Sequence, residues 1–127
     1  MNLVDSCGWL EYFADGPNAD FFSVALFKTE QLIVPTICIY EVFKKVLSER
    51  DEDAAFQAAA MMRQGQVVEL DDVLAISAAR ISRDLKIPMA DSIILATSKR
   101  YDALIWTQDE HFKGIPQANY RIKKKAK

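Results

Sequence analysis

The stretch Ala103-Leu104-Ile105-Trp106, followed at once by Thr107-Gln108-Asp109, decides how the rest of the chain is read. Four apolar residues in a row, too few for a helix of their own, read as a strand buried on both faces, as in a parallel sheet covered by helices. The strand leaves through a carboxylate, Asp109. The N-terminus repeats the arrangement, with the short apolar run Asn2-Leu3-Val4 closing on Asp5. Leu32-Ile33-Val34 runs into Pro35, and Glu41 sits near the start of the helix behind it. Asp91 opens a helical pattern just after Pro88. If these runs are parallel strands, their C-terminal ends share one edge, the edge at which open α/β sheets bind ligands. Carboxylates gathered there suggest a hard divalent cation.

Working outward, strands and helices alternate. Ser6 is expected to cap a short helix running to Phe13, with Trp9, Leu10 and Phe13 at helical spacing, and Asp15-Gly16-Pro17 breaks it. Pro17 suits the first turn of a second helix carrying Phe21, Phe22, Val24, Ala25 and Leu26. Thr36 is the expected cap of the next helix, whose stripe Ile39, Val42, Phe43 and Val46 faces the core. That periodicity points Glu41 away from the stripe and, taken alone, into solvent. Asp51-Glu52-Asp53 opens another helix that Gly65 is placed to stop, and Val67, Val68 and Leu70 form a strand. Asp71 or Asp72 caps a helix with Leu74, Ala78, Ile81 and Leu85 on one face, ending before Pro88. Asp91 then lies in the first turn of a helix through Ile93, Ile94, Leu95 and Ala96, where the helix dipole favours an ionised carboxylate. An N-cap role alone is nearly as natural for it. The expected class is α/β with a mainly parallel central sheet, one domain over residues 1–127, with a basic tail from about residue 121.

Composition narrows the function. A chain of 127 residues, 50% apolar, can bury one sizeable core. No apolar stretch approaches the roughly 18 residues of a membrane span, and the N-terminus lacks a basic region followed by an apolar one, so a cytoplasmic location without membrane attachment is expected. Cys7 and Cys38 form no metal-type pair and read as buried thiols. The net charge of -2 is more than accounted for by the four suspected ligand carboxylates, so it does not exclude a polyanionic substrate. Lys113, Arg121, Lys123, Lys124, Lys125 and Lys127 lie in an end without acids. The simple reading is a solvated, frayed tail; the other is a phosphate-attracting one.

Other chemistries lack a foothold. There is no G-x-S-x-G elbow, and the only histidine, His111, has no obvious acidic partner or nucleophile, so it reads as a surface residue in a polar turn. There is no H-E-x-x-H, and glycines are too sparse for a phosphate-cradling loop. A phosphatase of the haloacid-dehalogenase type calls for a second Asp where this chain has Cys7, and a receiver domain for an adjacent acidic pair after its first strand. Oxygen-rich Asp and Glu sites suit Mg²⁺ or Mn²⁺, which can activate water and stabilise charge on a phosphoryl group.

Four segments in order carry a family resemblance: Val4-Asp5-Ser6-Cys7-Gly8-Trp9-Leu10, the helical Glu41 after Val34-Pro35, Ala90-Asp91-Ser92-Ile93, and Thr107-Gln108-Asp109-Glu110-His111-Phe112. Together they resemble a PIN domain, and more narrowly the VapC type of toxin ribonuclease. The resemblance implies a three-layer α/β/α fold and a metal-dependent endoribonuclease acting on RNA. It matches Asp5, Glu41, Asp91 and Asp109 to the family's Mg²⁺- or Mn²⁺-binding acids, and Ser6 and Thr107 to hydroxyl positions beside them. It also implies a homodimer and a cognate antitoxin that reaches into the acidic site with a basic side chain. A PIN module that binds RNA or a protein without cutting, or a PIN nuclease of RNA processing, is the alternative. Ser6 serves equally as a helix cap, and Thr107 as a β-branched strand residue. Trp9, Tyr12 and Phe13 read as core or dimer packing rather than base stacking, and Lys44 and Lys45 as a solvated face.

Overall fold

The structure, a computed structural model, describes residues 1–125. Lys127, the last basic residue of the expected tail, lies outside them. The short apolar runs do become strands: β1 (Asn2–Val4), β2 (Leu32–Pro35) and β4 (Leu104–Thr107). With β3 (Gln66–Val68) and β5 (Ala118–Tyr120) they form one sheet in the order β3-β2-β1-β4-β5, every neighbouring pair parallel. Leu3, Val4, Ile33, Val34 and Ile105 are completely buried, which is why these strands read as continuous apolar runs rather than alternating ones.

Among the described residues six α-helices flank the sheet: α1 (Ser6–Phe13), α2 (Ala19–Leu26), α3 (Thr36–Glu49), α4 (Glu52–Met62), α5 (Asp72–Leu85) and α6 (Met89–Tyr101). The three-layer α/β/α class expected from the resemblance is the class observed. α1 docks closely because residue 8 is glycine: a Cβ there would come within 2.6 Å of both Phe22 and Val4. Trp9 is buried against Phe13, with ring centroids 6.0 Å apart, so it belongs to the core. Among the described residues no helix is long and apolar enough to cross a membrane.

Several local expectations are corrected. Asp5, not Ser6, caps α1: it is extended (φ -62°, ψ 155°) and its carboxylate accepts the Ser6 N–H. Pro35 takes the cap position of α3, and Thr36 is already helical. α2 starts at Ala19, two residues beyond Pro17, and the Asn18 amide is drawn into tertiary contacts instead of capping it. β3 ends at Val68, leaving Leu70 exposed, and Leu85 also faces solvent. β5 was not expected: Ala118-Asn119-Tyr120 has no apolar run, because an edge strand half-exposed on both faces needs none. The start of the basic tail is not frayed. The Arg121 N–H donates to Thr107 O (2.9 Å), Asn18 Nδ2 donates to Ile122 O (3.0 Å), and the Arg121 guanidinium lies over Phe21.

The strand order fixes where a site can form. From β1 the chain moves out through β2 to β3, then returns to β4 and β5 on the other side of β1. The C-terminal ends of β1 and β4 therefore bound the crevice at which the winding direction reverses. Asp5 and Asp109 follow those two strands.

Candidate active site

Asp5 is 3% exposed. Its Oδ1 accepts the Ser6 N–H (2.8 Å), and its Oδ2 accepts the Thr107 hydroxyl (2.8 Å) and the Cys7 thiol (3.3 Å). The Thr107 oxygen in turn accepts the Asp109 N–H at 2.9 Å. One hydroxyl at the end of β4 thus ties together the acids that follow the two central strands. Burial pushes the Asp5 carboxyl up to about 6, against the hydrogen bonds from Thr107 and Cys7, and the neighbouring Asp109 adds to the rise. The Cys7 thiol is driven far above its ordinary range, first by burial and then by Asp5, so it stays neutral and acts as a donor. Cys7 is half-buried, not buried as expected, while Cys38 is fully buried.

Asp91 sits in the first turn of α6 and is 8% exposed. Burial, then Asp109 and Asp5, push its carboxyl up to about 6, with His111 opposing. Glu41 is half-buried, and its Oε1 accepts the Ser6 hydroxyl at 2.7 Å. Val42 and Val46 turn α3 onto the core, which leaves Glu41 on the flank that meets α1 rather than in open solvent. The solvent-facing orientation read from periodicity is therefore corrected. A cavity of about 300 Å³ is lined by all four acids, Asp5, Glu41, Asp91 and Asp109, with Ser6 and Lys45.

His111 has the acidic partners that its sequence neighbourhood hides. Its Nδ1 lies 2.8 Å from Asp91 Oδ2 and 3.1 Å from Asp109 Oδ1, and its backbone N–H donates to Asp109 Oδ1 at 2.9 Å. Asp109 first, then Asp91, raise its pKa above the usual histidine value. Ligand atoms of Asp91, Asp109 and His111 all lie within 4.8 Å of one another. The spacing Asp109-Glu110-His111 in a short turn was the available signal, but Asp91 is distant in sequence. Lys45 lies on the expected solvated face, exposed and paired with Glu49 (3.0 Å), yet it also rims the acid cavity.

The donor set fits a divalent ion. Four carboxylates meet at a partly buried edge, the two buried ones held toward neutrality by burial and mutual repulsion, and among the described residues their only cationic partner is His111. A hard dication would relieve that repulsion, and oxygen ligands suit it.

A doubly flanked parallel sheet carrying carboxylates at its switch point defines an α/β domain built around an acidic centre. The PIN domain family model matches residues 3–117, and the chain belongs to that family. Several solved structures share the fold. A toxin-antitoxin complex from Klebsiella pneumoniae matches with a TM-score of 0.77 at 19% identity, over 93% of this chain and 95% of that one. Mycobacterium tuberculosis VapC20, described as a sarcin-ricin loop cleaving toxin, matches at 0.75 and 14% identity over 91% and 95%. VapBC2 from Rickettsia felis, bound to a DNA fragment of its promoter, matches at 0.72 and 11% identity over 95% and 97%. A comparison with curated protein sequences finds no match.

Proposed function

We propose that the protein is a Mg²⁺- or Mn²⁺-dependent endoribonuclease that hydrolyses RNA phosphodiester bonds as the toxin of a type II toxin-antitoxin pair. The observation that carries this is the convergence of Asp5, Glu41, Asp91 and Asp109 on one cavity at the sheet edge. The fold likeness to VapC20 and to the toxin-antitoxin complex supports it. The four carboxylates would hold the ion, which supplies Lewis-acid stabilisation of phosphoryl charge and a more acidic water. Ser6 and Thr107 orient the acids: Ser6 bonds both Asp5 and Glu41, and Thr107 bonds Asp5 and the Asp109 backbone. Lys45 at the rim and the tethered Arg121 offer positive charge to an approaching RNA backbone.

A cognate antitoxin belongs to the same reading. A groove of about 710 Å³, with Leu10, Phe13, Val46 and Met61 among its apolar lining, shares Cys7 and Lys45 with the acid cavity. A partner segment seated in it would end beside the carboxylates, where a basic side chain would compete with substrate. A homodimer and a cytoplasmic location complete the proposal. The test is cleavage of a panel of structured RNAs with Mg²⁺ or Mn²⁺, with and without chelator. Chelator and Asp91→Asn should each reduce cleavage by on the order of 100-fold or more. Undiminished cleavage by purified Asp91→Asn would overturn the site. Induced expression should arrest growth; an active nuclease that is harmless when expressed would point to RNA processing instead.

A further inference from the structure

We propose that His111 is itself a ligand of the divalent ion, completing with Asp91 and Asp109 a mixed nitrogen and oxygen site. This rests on the metal-dependent reading above and adds a donor that the four-carboxylate site does not contain. Bonds of about 2.0–2.2 Å put neighbouring donors of a six-coordinate ion about 3 Å apart. His111 Nδ1 is already 2.8 Å from Asp91 Oδ2 and 3.1 Å from Asp109 Oδ1. Both separations match ligand spacing, and ligand atoms of all three residues lie within 4.8 Å of one another, with a proton holding the imidazole where an ion can.

The imidazole is presented by built structure. Asp109 caps the turn Glu110–Phe112 by accepting the His111 N–H, and the fully buried Phe112 anchors that turn in the core. The His111 side chain remains 53% exposed, so an ion can reach it without opening the fold. A lysine or arginine would neutralise the two acids equally well but keeps its proton near neutral pH, whereas imidazole offers a lone pair once its proton leaves. In the exchange the ion binds Nδ1, the Nδ1 proton leaves to solvent, and nothing is oxidised or reduced. A nitrogen donor shifts preference from Mg²⁺ toward Mn²⁺.

His111 is the chain's only histidine, so any imidazole signal on a bound ion belongs to it. The untagged full chain, loaded with one equivalent of Mn²⁺, should show ¹⁴N coupling in pulsed electron paramagnetic resonance, and His111→Ala should lose it. Calorimetry should show that His111→Ala weakens Mn²⁺ binding by on the order of tenfold, with a smaller change for Mg²⁺. Bound Mn²⁺ without nitrogen coupling in the wild-type chain overturns the proposal and leaves the carboxylate site standing. Tighter binding of both ions by His111→Ala also overturns it, because that is the signature of a competing counter-ion. No Mn²⁺ binding at all overturns the metal reading and this proposal together. The wild-type spectrum decides the matter even if the variant folds poorly.

Discussion

Asp5 and Asp71 begin alike. Each lies beyond the end of a parallel strand, each is extended, and each caps the following helix by accepting a backbone N–H at 2.8 Å, from Ser6 and Leu74 respectively. They end as opposites. Asp71 is half-exposed, pairs with Arg100 at 2.9 Å, and is held below the ordinary carboxylate range by that pair and by the Leu74 N–H. Asp5 is buried, has only neutral donors around it, and is pushed up to about 6. The cap is a local device at both places, closing on the first helical N–H at Asp5 and on the third at Asp71. What separates them is topology: β3 is an edge strand, whereas β1 is flanked by β2 and β4, so Asp5 emerges at the covered switch point beside Thr107 and Asp109.

Exchanging each acid for its amide should separate the two most strongly. Asp5→Asn should abolish metal-dependent RNA cleavage, by on the order of 100-fold or more, while Asp71→Asn should leave it unchanged. Equal losses in a single-turnover assay would show that capping, not site chemistry, is what Asp5 contributes. A smaller effect is expected of Thr107→Val, which keeps the shape but removes both the donor to Asp5 and the acceptor for the Asp109 N–H. Mn²⁺ affinity by calorimetry should fall about 10- to 100-fold, the usual range for residues that orient metal ligands; unchanged affinity would reduce Thr107 to a strand residue.

The smallest effects are in stability, and they have opposite signs. The Asp5 pKa is raised from 3.8 to about 6, so between those values the folded, metal-free chain holds more protons than the unfolded one. Stability from this group therefore falls as pH rises through that window. Asp71 is lowered, so its contribution is present above its ordinary pKa and is lost as pH falls through its depressed folded value. Melting curves with chelator should show Asp5→Asn flattening the slope from about pH 4 to about pH 6, and Asp71→Asn changing the curve mainly below about pH 4. Identical pH profiles for the two variants would remove the distinction drawn between them.

β1, β2 and β4 are legible because strands covered on both faces must be apolar throughout, and Asp5, Asp91 and Asp109 are legible because they stand at the ends of such elements. β5 is not, since pairing on one side of β4 at the sheet edge leaves little apolar signature. Periodicity shows which face of α3 meets the core, but not what meets the flank, so Glu41 reads as solvated until α1 supplies Ser6. His111 reads as a surface residue because Asp91 lies on a different element and reaches it only after folding.

By itself, then, the sequence determined the alternation of strands and helices, the parallel class of the sheet and the acids at the element ends. These depend on hydrophobic period and on caps, which act over a few residues. The family resemblance implied that residues 5, 41, 91 and 109 share a site; only the tertiary structure decided that they line one cavity with His111 against two of them, that Asp5 and Asp91 share a raised pKa, and that Asp71 stays outside. Those outcomes follow from the strand order β3-β2-β1-β4-β5, which joins distant segments whose local patterns carry no record of one another.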